Sequence, residues 1–100
     1  MRDPRHVDVL LLAALHGTPR TRSEAVEIIR CRTGRRLVPL HAEVHRRLGY
    51  LERNRLVRRT GEGRRFRTTE LGVRVLIGRL RELDALIQGV DALVGDEELG

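Results

Sequence analysis

The stretch HAEVHRRLGYLERNRLVRRTGEGRRFRTTELG, residues 41–72, decides the fold of this chain. Val44, Leu48 and Leu51 fall at i, i+4 and i+7, which predicts a helix from 40 or 41 to 54 with one buried stripe. At about 100° per residue, Ala42, Arg46, Gly49 and Arg53 then point away from the core, flanked by Glu43 and Tyr50. Two short runs rich in valine, threonine and arginine follow, 56–60 and 64–68, joined by Gly61, Glu62 and Gly63. That pattern predicts a β-hairpin whose glycines supply the positive φ of the turn.

Downstream, Thr69 is the expected N-cap of a last helix, and Glu70 in its first turn complements the helix dipole. Val73, Leu76, Leu80, Leu83, Ile87, Val90 and Val94 are spaced 3, 4, 3, 4, 3, 4, an uninterrupted heptad stripe. Leu86, Leu93 and Ala85 widen it, enough to pack on the first helix as well as on a partner helix. Gly72, Gly78 and Gly89 each weaken a helix by up to about 1 kcal/mol relative to alanine, so this one needs packing to hold it. A chain this short has few apolar faces to spare, and the stripe is expected to join two copies into a homodimer. The tail 96–100 has no periodicity and is expected to fray.

Upstream, Asp3 as N-cap and Pro4 at the first helical position open a helix that runs toward Gly17, with Val7, Leu10, Leu11, Ala14 and Leu15 as its buried face. Thr21 with Glu24 three residues on reads as a capping box for a second helix ending near Thr33 and Gly34, with Ala25, Ile28, Ile29 and the stem of Arg32 inward. Residues 35–38, stopped by Pro39, suit a brief strand before the third helix. The fold class is therefore mainly α with a small β-hairpin, a winged helix-turn-helix over 1–69 plus a long C-terminal dimerisation helix over 70–95 in the same compact unit.

The cationic residues of this 100-residue chain are all arginine, and they are unevenly placed: residues 1–69 hold 17 arginines against 7 acidic residues, while 70–100 hold 3 against 7. A basic head on an acidic assembly segment is the charge distribution of a nucleic-acid binder. One cysteine, Cys31, excludes an intrachain disulfide and agrees with a reducing compartment. Residues 9–15 behind Arg2 and Arg5 look like a signal-peptide core, but Asp3 and Asp8 interrupt the pattern, and a cytoplasmic, nucleoid-associated protein is expected. No apolar run approaches the roughly 20 residues of a membrane span. No Ser/His/Asp set, phosphate-cradling glycine loop or paired-carboxylate pocket is visible, so no enzyme, cofactor or metal is expected.

An α-helix fits the major groove of B-DNA, and a basic hairpin rides on the phosphates beside it. The residue pattern assigns base contacts to Ala42, Arg46, Gly49, Tyr50 and Arg53, and backbone contacts to Arg20, Thr21, Arg22, His41, His45, Arg58, Arg59, Arg64, Arg65 and Arg67. The partner implied is double-stranded DNA; an architectural, weakly selective DNA-binding protein is the competing reading, and a protein-interaction module a third. His41 and His45, four apart, have a zinc-compatible spacing that Cys31 would complete, against the plainer reading of two polar residues near DNA. Cys31 between Arg30 and Arg32 has the setting of a redox switch, against the plainer reading of a small hydrophobe. Nothing names a small-molecule effector.

Leu48-Gly49-Tyr50-Leu51-Glu52, then Leu56-Val57, then Arg64-Arg65-Phe66-Arg67-Thr68-Thr69-Glu70-Leu71-Gly72 with Val75-Leu76, resembles the PadR family of bacterial transcription regulators over about residues 7–95. The resemblance implies a homodimeric winged-helix repressor whose C-terminal helix makes the dimer. Where that family has tyrosine-proline early in the recognition helix, this chain has His45-Arg46, and Phe66 stands where tyrosine is common. Arg55 replaces the family's glycine before the wing, which leaves Asn54 to take the left-handed cap. The tryptophan-lined pore by which some members hold flat aromatic ligands has no counterpart in a chain with no Trp.

Overall fold

The computed structural model describes residues 4–95, built as α1 (Pro4–Ala14), β1 (Arg20–Thr21), α2 (Arg22–Arg32), α3 (His41–Arg53), β2 (Val57–Thr60), β3 (Arg65–Thr68) and α4 (Glu70–Gly95). It is a mainly helical winged helix-turn-helix with a three-stranded antiparallel sheet in the order β1-β3-β2 and a long C-terminal helix. Asp3, the expected first N-cap, and the tail 96–100 lie outside the described residues.

Local hydrogen bonds set the helix ends. The capping box at α2 is complete: Thr21 Oγ1 accepts from Glu24 N at 3.1 Å and Glu24 Oε1 accepts from Thr21 N at 2.8 Å. Thr69 Oγ1 caps α4 by accepting from Gly72 N at 3.0 Å. At the end of α1 the freed carbonyls are taken by distant groups: Thr68 Oγ1 donates to Leu12 O at 2.7 Å, Thr68 N to Leu15 O at 3.1 Å, and Arg20 Nε to Ala14 O at 2.9 Å. These bonds tie β1 and β3 to α1 and stop that helix at Ala14, three residues before Gly17.

Two expectations about the backbone are corrected. Residues 35–38 form no strand; Gly34 and Arg35 both take positive φ, and Thr33 Oγ1 accepts from Leu37 N at 3.2 Å, folding the segment back on the end of α2. The strand that joins the hairpin precedes α2 instead: Arg20 pairs with Phe66 and Thr21 with Arg65. Asn54 does not take the left-handed cap. Its φ is −91°, its side-chain amide donates to Tyr50 O at 2.8 Å, and Arg55 takes φ 60° so that Arg55 N reaches Glu52 O and Leu56 N reaches Leu51 O. That two-bond closure fixes which residue must be left-handed, and it falls one position after Asn54.

The core gathers Val7, Leu11, Leu12 and Leu15 of α1, Ala25, Val26 and Ile29 of α2, and Val44, Leu48 and Leu51 of α3, closed by Leu56, Val57, Phe66 and Leu76. Ile28, expected inward, is half-buried; Val26 replaces it and Arg32 is exposed. The N-terminal part of α4 packs through Gly72, Val75 and Leu76, with Gly72 so close to the wing that a Cβ there would stand 2.1 Å from Leu56 O. Farther along, Leu86 borders a groove with Arg5, His6 and Val9 of α1 but stays 63% exposed, and Leu93 is 79% exposed. The reason is length: α1, about 16 Å, cannot cover α4, about 39 Å. The heptad stripe divides accordingly, with Leu76 buried, Val73, Leu83 and Val94 half-buried, and Leu80, Ile87 and Val90 exposed in the single chain. No helix among the described residues is long and apolar enough to cross a membrane.

Candidate nucleic-acid interface

The same stripe that buries α3 determines what it presents outward. Ala42, Arg46 and Arg53 are exposed and Gly49 half-buried, on the side opposite Val44, Leu48 and Leu51. Arg53 folds over Gly49, where an added Cβ would meet its Nη1 at 3.4 Å. Tyr50 lies on the flank toward α1 and α4, its ring 4.3 Å beneath the Arg47 guanidinium and beside Leu12 and Val75.

On the opposite flank, α3, the start of α2 and the hairpin enclose a cleft of about 620 Å³. Arg22, His45, Arg59 and Arg64 surround it over a floor of Leu48 and Phe66. Arg22 Nη1 contacts His45 Nδ1, joining α2 to α3. Thr21, also on the cleft, has its hydroxyl engaged in the capping box, and His41 is exposed at the first position of α3.

The hairpin register sorts its arginines. Arg58 pairs with Arg67 on one face, and Arg59 with Phe66 on the other, which turns toward α3. Arg59 Nε donates to Glu52 Oε2 at 2.8 Å, its Nη1 to Gly63 O at 3.0 Å, and the guanidinium lies 4.9 Å from the Phe66 ring centre. Arg65 Nη1 reaches Glu24 Oε1 at 2.5 Å. These two ion pairs bind the wing to α3 and α2. By contrast the side chains of Arg46, Arg53, Arg58, Arg64 and Arg67 have no hydrogen-bond or ion-pair partner among the described residues. Arg20 stands elsewhere: its side chain, bonded to Ala14 O, borders the groove between α1 and α2.

Several ionisable groups carry shifted proton affinities. The Thr21 backbone N–H holds the Glu24 carboxyl below the usual carboxylate range, with the Arg65 charge adding to it. Arg30 does the same to Glu27 through Nη2, which donates to both carboxylate oxygens, helped by the Cys31 thiol, which is exposed on α2. Asp8 raises the Arg47 pKa through a paired hydrogen bond, Nε to Oδ1 at 2.8 Å and Nη2 to Oδ2 at 2.7 Å. Sequence reasoning missed this pair. Its signal was a charge inside the apolar run of the first helix, in phase with Leu11, Leu12 and Leu15. The described residues contain no group of three His, Cys, Asp or Glu side chains arranged to hold a metal ion.

The fold is shared with a solved transcriptional regulator from Clostridium thermocellum, at 21% identity and a TM-score of 0.79, over 90% of this chain and 91% of that one. No protein family's sequence profile matches the chain. No curated protein matches it in sequence.

Proposed function

We propose that this chain is a sequence-specific, double-stranded DNA-binding transcription regulator, a homodimeric repressor of the PadR-like kind. The observation that carries the reading is the pair Arg46 and Arg53, exposed on the outward side of α3 and free of partners among the described residues. Arginine there has the fork geometry for the O6 and N7 acceptors of guanine in the major groove. The likeness of fold to a transcriptional regulator supports the same reading.

In this proposal residues 1–69 form the DNA-binding unit and 70–95 the dimerisation helix. Ala42, Gly49 and Tyr50 complete the base-facing set, Gly49 allowing close approach and Tyr50 at its edge. Arg58, Arg64 and Arg67 take phosphates directly, with Arg22, His41 and His45 along the cleft and Thr21 at the start of α2. Arg59 and Arg65 reach phosphate only on leaving Glu52 and Glu24, and Arg20 only on leaving Ala14 O. The stripe of Val73, Leu76, Leu80, Leu83, Ile87, Val90 and Val94 joins two copies, which places two recognition helices on a pseudo-palindromic site about one helical turn apart. The chemistry is binding rather than catalysis, and its place of action is the nucleoid.

The test is selection of duplexes from a random pool, then titration of the winner against scrambled DNA at about 150 mM salt, because phosphate binding is strongly salt-dependent. A palindromic winner preferred by about 10³ or more is expected. Equal binding to winner and scramble refutes the reading and assigns the protein to the architectural class; no binding to any duplex at low salt leaves the interaction-module reading standing instead.

A further inference from the structure

We infer that Asp8, Arg47 and Tyr50 form a positioning cluster that sets the rotation of α3 about its axis, and with it the selectivity of the outward face; this rests on the function proposed above. Arg47 follows Arg46 on α3 and so points about 100° round the helix from it, toward α1: its side chain is 22% exposed and forks onto the carboxylate of Asp8, which is 5% exposed. Stability does not account for such a pair. Taking both charges out of water offsets most of their attraction, and well-packed apolar residues of similar size usually serve a core at least as well. What an apolar seam lacks is direction, because hydrophobic contact does not specify orientation.

The geometry supplies the missing direction. Val44, Leu48 and Leu51 hold α3 in the core by apolar contact, and its links to Arg22 and Arg59 through His45 and Glu52 are made at the exposed surface. The two parallel hydrogen bonds from Arg47 to Asp8 fix both the angle and the height of α3 against α1. The Arg47 guanidinium also lies over the Tyr50 ring, and Asp8 and Tyr50 line a small gap that Val75 and Arg79 of α4 face from the other side. A rotation of only 20° moves side chains at the helix surface by about 2 Å. Bidentate hydrogen bonds from Arg46 or Arg53 to a base edge do not survive a displacement of that size, whereas phosphate contacts adjust to it.

The experiment uses the full chain with Arg47→Lys, which keeps the charge but not the fork, and with Asp8→Leu/Arg47→Met, which replaces the pair by apolar groups and needs no ion pair to fold. Tyr50 is the one tyrosine in a chain with no tryptophan, so its fluorescence reports whether the Arg47 contact has changed. For both variants the ratio of affinities for the selected and scrambled duplexes is expected to fall by about tenfold or more, with the salt slope of scrambled binding unchanged. A salt slope lower by about one in the double variant would make Arg47 a phosphate contact and overturn the inference. So would an unchanged ratio in either variant. A wild-type protein without preference for its selected duplex removes the function proposed above together with this inference; a selective wild type with equally selective variants removes this inference alone.

Discussion

Replacing Gly72 with alanine tests how tightly α4 is joined to the wing. The added Cβ would lie 2.1 Å from Leu56 O, 2.7 Å from Thr68 Cγ2 and 3.0 Å from Leu56 C, two of them backbone atoms that cannot rotate away. The first turn of α4 must therefore move out by roughly 1 Å, the gap needed for ordinary contact in a close-packed interior. That displacement strains the bonds from Thr69 N to Leu56 O at 3.0 Å and from Thr69 Oγ1 to Arg55 O at 2.7 Å. Overpacking of this kind costs about 1–3 kcal/mol, and two weakened hydrogen bonds add about 1 kcal/mol each. Alanine returns about 1 kcal/mol in helix propensity, for a net loss of about 2–4 kcal/mol. Gly78 and Gly89 lie in the same helix with nothing within 4 Å of an added Cβ, so alanine there gains up to about 1 kcal/mol. In a chain of this size the expected changes in Tm are a fall of at least about 8 °C and up to about 32 °C for Gly72→Ala and a rise of up to about 8 °C for the other two. Thermal and urea melts at one protein concentration read this out, since association raises apparent stability. A Gly72→Ala protein melting at or above the wild type would refute the close approach, and a matching fall for Gly78→Ala would show that loss of glycine, not contact, is responsible.

The remaining predictions concern the interface, the assembly and two local features. Arg46→Ala and Arg53→Ala are each expected to cost about 1–3 kcal/mol on the selected site and relax its sequence preference, while Arg64→Ala weakens all duplexes alike; equal losses on selected and random DNA for all three would sink the division. Ile87→Glu places a charge on the exposed part of the heptad stripe, 58% exposed in the single chain, and should leave a single protomer in sedimentation, where a persisting dimer would rule the stripe out. Arg55→Gly relieves φ 60° and should raise stability by about 1 kcal/mol in urea melts; no gain would mean that the arginine side chain offsets its own backbone strain. Glu24 is held below its ordinary value, so its contribution is complete above about pH 4.5 and disappears as pH falls through the lowered pKa. The Tm gap between wild type and Glu24→Gln should accordingly close in acid, and a gap of constant size would count against that role.

Features with a local cause were legible in the sequence. Thr21 with Glu24, Thr69 before Glu70, the glycines of the hairpin turn and the stripe of Val44, Leu48 and Leu51 each act within a few residues, and each stands where its spacing placed it. Features made by a distant partner were not. A two-residue strand at Arg20–Thr21 has no pattern of its own and exists because β3 lies beside it. The pair Asp8 and Arg47 spans 39 residues. The left-handed residue after α3 was misplaced by one because propensity favours asparagine while the hydrogen-bond closure counts from Leu51. For the candidate interface, helix geometry determines which α3 side chains face outward, but not which arginines the wing uses on itself. Glu52 and Glu24 make that selection through Arg59 and Arg65, and both pairs are set by the packing of the wing on α3 and α2 rather than within one element.

The joint at Gly72 also constrains how such a protein can change its reach over generations. With no slack between α4 and the wing, lengthening the helix by one residue advances it by about 1.5 Å and turns its apolar stripe by about 100° relative to the head. A stripe that must meet a partner stays in phase only when residues are added or removed about seven at a time. One such step is about 10 Å, close to three base pairs of duplex. In the proposed dimer, operator spacing would therefore drift by whole heptads, while substitutions on the outward face of α3 remain free to retune the sequence read.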